Sequence, residues 1–343
     1  MESTMKRPIQ YNILMMLLFL LLVGTVCILP LLNSDADVPA GPADTAVPST
    51  QVTTVPTETT IPPTTPTTVP PTTVPLVTIP DSVKIAAKNA FVYNCTRNHL
   101  AYIKDAGDTV MYPASITKLF SVYVALQHLE PSRTVTVGPI ISTTPPDSSF
   151  ANLAVGDQLT VKDLVAAMLL PSGGDAARVL AVEAGRAVAG DPNLSESAAA
   201  ERFIEEMNRC ALLEGMENTH FVNPDGYHHE DHYTCLQDLL TIGRLSIETE
   251  LIRQIAATPE YTATVAQGRT LTWKNTNFLL QESFPDYYCP DAIGLKTGYT
   301  RAAGGCLLAA FEKDGEVILI GIFGSEDKAS RFPDVLALYA ALQ

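Results

Sequence analysis

The chain has 343 residues, 46% of them apolar, enough for a sizeable buried core and for one large domain or two ordinary ones. Its formal net charge of −15, with no basic cluster, excludes a nucleic-acid partner, because phosphate binding needs concentrated Lys and Arg. The same charge fits an extracellular surface protein and discriminates little further.

Residues 1–12 carry Lys6 and Arg7 and precede an uncharged run, Ile13–Leu32. That run is long enough to cross a hydrocarbon core of about 30 Å. A cleavable signal has a shorter apolar region of about 7–15 residues and a small-residue cleavage site. Val38-Pro-Ala40 is a poor match to such a site, and Val26 before Cys27 argues against lipoprotein processing. The sequence therefore predicts a transmembrane signal-anchor at 13–32, residues 1–12 cytoplasmic and the remainder outside. A secreted protein after signal cleavage is the alternative.

Residues 33–80 read as a stalk. Between Thr45 and Pro80, 14 Thr and 9 Pro make up 23 of 36 residues, too little apolar surface to offset the entropy of ordering. As polyproline II, at about 3.1 Å per residue, such a segment reaches on the order of 100 Å.

The folded part is expected over 81–343. Ala90–Tyr93 and His99–Lys104 are strand-like and flank Asn94-Cys-Thr-Arg-Asn98, which reads as a hairpin turn. Ser115–Glu130 has helical apolar spacing at Leu119, Val122, Tyr123 and Leu126. Thr160 and Asp163 form a capping-box pattern opening a helix that ends near Leu170. Asp175–Ala184 and Ala198–Glu214 read as further helices. Lys296 lies in a strand-like stretch, Gly294–Thr300. Ala303–Glu312 and Glu316–Phe323 are apolar strands joined at Asp314-Gly315, and Phe332–Leu342 is a closing helix. Strands at both ends with helices between give an α/β fold whose terminal strands share one antiparallel sheet. Five cysteines, Cys95, Cys210, Cys235, Cys289 and Cys306, follow the apolar run. An odd number leaves at least one unpaired; the spacing allows a single disulfide without assigning it, and fits no zinc pattern.

Three segments carry chemistry, in this order: Ser115-Ile-Thr-Lys118, Ser172-Gly-Gly174 and Lys296-Thr-Gly298. Ser-x-x-Lys places a hydroxyl and an amine on one helix face, where a desolvated lysine can activate the serine. Leu119 and Phe120 beside Lys118 supply the apolar surroundings that lower an amine pKa. Ser115 also opens its helix, where unpaired amides favour negative charge. Taken singly, Ser115 is an ordinary N-cap, Lys118 a solvated helix lysine, Ser172 a turn residue and Lys296 part of an edge strand. Together they point to a serine acyltransferase. His228, His229 and His232, near Glu230 and Asp231, lack the spacing of a helical zinc motif and read as a polar surface loop, so no metal is expected.

From about Ile85 onward the chain resembles the penicillin-binding D-alanyl-D-alanine carboxypeptidases. The resemblance rests on Pro113-Ala-Ser-Ile-Thr-Lys118, Thr219-His-Phe-Val-Asn-Pro-Asp-Gly226, Asn275-Thr-Asn277 and Gly294-Leu-Lys-Thr-Gly-Tyr-Thr300. It implies a β-lactamase/transpeptidase-like fold: about five antiparallel strands covered by helices, a helical lobe, and a site in the cleft between. It implies Ser115 as nucleophile, Lys118 as base and Ser172 as a proton relay pointing into the cleft. Lys296, Thr297 and Gly298 are expected to bind the substrate carboxylate, and the backbone amides of Ser115 and Tyr299 to form the oxyanion hole. The implied partners are peptidoglycan stem peptides and β-lactam antibiotics, and no cofactor is implied; the membrane is expected to be engaged through the 13–32 run. Gly174 departs from the family's Ser-x-Asn motif. Glycine offers only backbone there, so Gly174→Asn is expected to raise acylation. That departure keeps a catalytically weak wall-binding or β-lactam-sensing module as one alternative. A β-lactamase is another, although Glu205 is the nearest match to its deacylating glutamate.

Overall fold

The computed structural model describes residues 78–104, 109–266 and 268–342. The expected signal-anchor at 13–32 and all but the last three residues of the stalk lie outside the described residues. Among the described residues no helix is long and apolar enough to cross a membrane. Packed structure begins slightly before Asp81: Ile79 is buried and its N–H donates to the Ala101 carbonyl.

In chain order, β1 (Asn89–Asn94) and β2 (His99–Lys104) form the expected hairpin. A short 3-10 turn, Ala114–Ile116, leads into α1 (Thr117–Ala125). The helix anticipated over Ser115–Glu130 is thus shorter and enters through a tighter turn. The pair β3 (Thr134–Thr136) and β4 (Gln158–Thr160) precedes α2 (Val161–Leu169), which begins at the expected capping box. There the Thr160 hydroxyl accepts from Asp163 N and the Asp163 carboxylate accepts from Thr160 N. Then come α3 (Gly174–Ala189), α4 (Glu196–Leu213), α5 (Leu236–Glu248) and α6 (Glu250–Ala256). A second hairpin pairs β5 (Glu260–Thr264) with β6 (Thr270–Lys274). The chain ends with β7 (Ala292–Thr300), β8 (Gly304–Lys313), β9 (Glu316–Ser325) and α7 (Arg331–Ala340).

The main sheet has five strands in the order β2-β1-β9-β8-β7, every neighbour antiparallel. Asp314 and Gly315 both have positive φ, 51° and 78°, the conformation that a tight hairpin between right-twisted strands demands. Period-two alternation sends side chains to two separate cores. Phe91, Leu308, Ala310, Leu319 and Phe323 face α1–α6. Val92, Leu307, Ala309, Ile320 and Ile322 face α7, through Phe332, Val335 and Leu338. β8 is buried from Gly305 to Phe311, which explains why it reads as a continuous apolar run.

All five cysteines after the apolar run are free, so the disulfide that the sequence allowed does not form. Cys306 behaves as a small buried hydrophobe, and burial pushes its thiol up to about 11.

Candidate active site

The Ser115 turn is held from three sides. Ala114 is in the left-handed region at φ 48°, which a non-glycine residue adopts only when its surroundings enforce it. The Ala114 carbonyl accepts from the Thr117 hydroxyl at 2.9 Å. Behind Thr117 stands His232, 2% exposed, with Nε2 2.9 Å from the Thr117 hydroxyl and Nδ1 accepting from Val222 N at 3.2 Å. Since Nδ1 accepts, Nε2 carries the proton and donates. Burial, followed by the neighbouring His220, His229 and Lys118, pushes the His232 pKa down to about 3, so the ring is neutral. The histidine-rich segment is therefore not all surface loop. His228 and His229 are exposed, whereas His232 is drawn inside because its two nitrogens complete the hydrogen bonding of the nucleophile turn. Among the described residues no cluster of potential ligands could hold a metal.

Gly226 closes the second side. A Cβ there would lie 1.8 Å from the Ala114 carbonyl oxygen, and φ is 78°, so only glycine lets this loop meet the turn. The loop is pinned by Asn223, whose side chain accepts from Gly226 N and donates to the Tyr227 carbonyl, each at 2.8 Å. Ser121 adds a 2.7 Å bond to the Pro224 carbonyl. This accounts for Thr219–Gly226 as a recognisable segment. On the third side is β7, the outer strand of the sheet. A Cβ on Gly298 would come within 3.1 Å of Ser115 N, so its lack of a side chain keeps that amide clear.

Lys118 Nζ donates to Ser115 Oγ at 3.1 Å and to the Asp225 carbonyl at 2.6 Å. The lysine is 2% exposed, and burial lowers its pKa to about 8 against the opposing pull of Asp225 and Asp175. Lys296 is also buried. Desolvation, then Lys118 and Arg331, holds its pKa well below the ordinary lysine value. Lys296 Nζ donates to the Thr297 carbonyl at 3.1 Å, and the Thr297 hydroxyl pairs with Thr276 at 2.6 Å. The segment Asn275-Thr-Asn277 clips this strand in place. Asn275 Nδ2 donates to the Ala256 and Thr258 carbonyls, and Asn277 Nδ2 to the Gly294 carbonyl, each at 3.0 Å.

These parts surround a cleft of about 830 Å³ whose lining includes Ser115, Lys118, Gly174, Asp225, Tyr227 and Tyr299. Tyr299 is half exposed, with Lys328 Nζ 5.0 Å from its ring centre. Ser172, Lys296 and Thr297 are buried and are not among the residues that line it. Ser172 is held at φ 68°, and its hydroxyl finds no hydrogen-bond partner among the described residues.

Two contributors escaped sequence reasoning. Arg331 is buried behind β7 and donates to the Gly298 and Cys306 carbonyls at 2.8 and 3.3 Å. Its only local signal is an arginine opening an apolar helix. Asp225 was visible only as part of a longer motif. Glu205 is exposed on α4 and paired with Arg202, a poor situation for a group that must position a water in the cleft.

With this geometry in view, comparison with known proteins gives a consistent answer. The S11 peptidase family model, described as D-alanyl-D-alanine carboxypeptidase, matches residues 76–326. A D-alanyl-D-alanine carboxypeptidase of Streptomyces sp. strain K15 is 33% identical over 265 residues, 73% of this chain and 84% of the relative. A D-alanyl-D-alanine endopeptidase of Pseudomonas aeruginosa is 27% identical, covering 77% of this chain and 79% of the relative. The crystal structure of the Streptomyces K15 DD-transpeptidase superposes with TM-score 0.68 at 31% identity, over 77% of this chain and 98% of that one. The chain belongs to the S11 serine peptidases, the D-alanyl-D-alanine carboxypeptidase family, and has the DD-transpeptidase fold.

Proposed function

We propose that the protein is a membrane-anchored serine D-alanyl-D-alanine carboxypeptidase that trims peptidoglycan stem peptides outside the cell and is acylated by β-lactams. The observation that carries this reading is the 3.1 Å contact between Lys118 Nζ and Ser115 Oγ, made by a buried lysine whose pKa is lowered to about 8. A lysine of that kind is partly neutral near neutral pH and can accept a proton.

In this mechanism neutral Lys118 takes the Ser115 proton as Oγ attacks the penultimate D-alanine carbonyl. The backbone amides of Ser115 and Tyr299 receive the oxyanion; Gly298, lacking a Cβ, leaves the Ser115 amide unobstructed. Collapse breaks the peptide C–N bond. The proton held on Lys118 passes to the leaving amine, with the Ser172 hydroxyl as relay, and D-alanine departs. Lys296 and Thr297 attract the substrate's terminal carboxylate. Water then cleaves the ester and restores Ser115.

The N-terminal apolar run, preceded by Lys6 and Arg7, supports the single-pass anchor with the catalytic domain outside. Mass spectrometry of the full-length chain incubated with penicillin tests the enzymatic reading. A stable adduct on Ser115 is expected. Rapid turnover would make the protein a β-lactamase, and no adduct would make it a binding module.

A further inference from the structure

Gly174 opens α3, and its backbone is not in the left-handed region, so conformational freedom does not explain the glycine. Space does. A Cβ built there would stand 2.9 Å from Asp225 Oδ2, 3.3 Å from Thr144 Cγ2 and 3.4 Å from the Ser149 carbonyl oxygen. The place that a side chain at 174 would occupy is already filled by the Asp225 carboxylate.

Asp225 is 3% exposed and lines the cleft with Ser115, Lys118 and Gly174. Its carbonyl is the 2.6 Å acceptor of Lys118 Nζ, and its Oδ1 accepts a long 3.3 Å bond from Tyr227 N. The other carboxylate acting on Lys118 belongs to Asp175 and is committed elsewhere. Its oxygens accept from Ala151 N, Ala176 N and Leu153 N at 2.8 to 3.1 Å. The remaining charged or titratable groups bearing on Lys118 are Arg178, the buried Lys296 and neutral His232.

We propose that Asp225 is a positioning residue that replaces the side chain missing at Gly174: its carboxylate fills that space and steadies Lys118 from the loop side. The inference rests on the carboxypeptidase reading and deepens it. It also changes what the cleft offers a substrate. An asparagine amide both donates and accepts, whereas a carboxylate only accepts, so this wall can receive a substrate N–H but cannot donate to a substrate carbonyl. The expectation from sequence alone, that Gly174→Asn speeds acylation, is thereby reversed, because the new side chain would displace the carboxylate.

The test is the penicillin acylation rate of the full-length chain as a function of pH. Asp225→Asn removes the anion that favours the Lys118 ammonium, so the midpoint of the pH profile should move down by roughly one unit. A purely structural role for Asp225 would leave that midpoint unmoved. Gly174→Asn should slow acylation roughly tenfold, about the effect of one disturbed hydrogen bond. Adding Asp225→Ala to Gly174→Asn should recover most of that loss by reopening the space. An unshifted midpoint in Asp225→Asn, or a Gly174→Asn rate equal to or above wild type, overturns the proposal. If the wild type takes up no penicillin, the carboxypeptidase reading fails, and the packing claim is decided by thermal unfolding. Gly174→Ala should then lower Tm more in the wild type than in an Asp225→Ala background, and equal losses overturn it.

Discussion

His232 predicts an acid sensitivity that can be worked out from its surroundings. Its pKa falls from 6.5 to about 3 on folding, chiefly through burial. Folding with a depressed pKa means that the unfolded chain binds the proton more readily. Stability is therefore full above 6.5 and is lost as pH falls from there toward 3. At about 1.36 kcal/mol per unit, the ceiling is on the order of 5 kcal/mol, reached below pH 3, and at pH 5 the loss is already about 2 kcal/mol. Glu206, held down at about 2 mainly by its hydrogen bond to Arg209, is ionised at pH 5 in the folded state and largely so when unfolded. Urea unfolding of wild type and His232→Phe at pH 8 and pH 5 isolates the effect. The wild type should lose about 2 kcal/mol more than the variant between the two pH values. Because Thr117 and Ala114 depend on this ring, penicillin labelling should weaken in parallel. Equal pH dependence in the two proteins would refute a neutral, buried His232.

Ser115→Ala should abolish penicillin labelling and D-alanine release with an unchanged unfolding midpoint, and Lys118→Ala should be nearly as damaging because the two groups act as a unit. Retention of most activity in a folded Lys118→Ala protein would remove the assignment of the base. Since Lys118 must be neutral to accept the proton, acylation should rise with pH up to about 8 and then level off; a stopped-flow profile flat from pH 6 to 9 contradicts this. Gly226→Ala forces a Cβ against the Ala114 carbonyl oxygen at positive φ and should destabilise by about 2–4 kcal/mol, read by urea unfolding. The mature protein should sediment with membranes and keep residues 13–32, which N-terminal sequencing checks.

Much of the site was legible because its chemistry is encoded locally. Ser115 and Lys118 are one helical turn apart, so their spacing alone predicts the shared face. The apolar β8 and β9, with Asp314-Gly315 between them, announce the sheet just as directly. Asp225, Arg331 and His232 were hidden because their roles depend on contacts across the fold. Asp225 acts on a lysine from a distant loop, and Arg331 reaches back to the Gly298 carbonyl from the final helix. His232 lies in a polar stretch whose composition says surface, and only the packing of Val222 and Thr117 brings it inside. The β5–β6 hairpin was missed for another reason. Its strands are threonine-rich and only Ala263, Leu271 and Trp273 are buried, so the alternation is faint. α5 and α6 went unread although Leu236, Leu239, Leu240 and Ile242 follow helical spacing.

The pairing of β1 with β9 puts Asn89 opposite Phe323 and Asn94 opposite Ile318. The first strands made thus find their partner only among the last. Until Ser325 has been delivered, the early hairpin has no sheet to join, and α1–α6 lack part of the face they pack on. Such long-range closure is slow, because the loop entropy must be overcome before the contacts form. In the exported protein proposed above, the segments next to the anchor emerge first, so the order of arrival is the reverse of what the sheet needs. The segment exposed longest in the unfolded state is then the β1–β2 pair, with Leu100 and Ile103 among its outward-facing residues. Under that proposal, conditions that slow the arrival of the final strands should lengthen the chain's exposure to proteolysis.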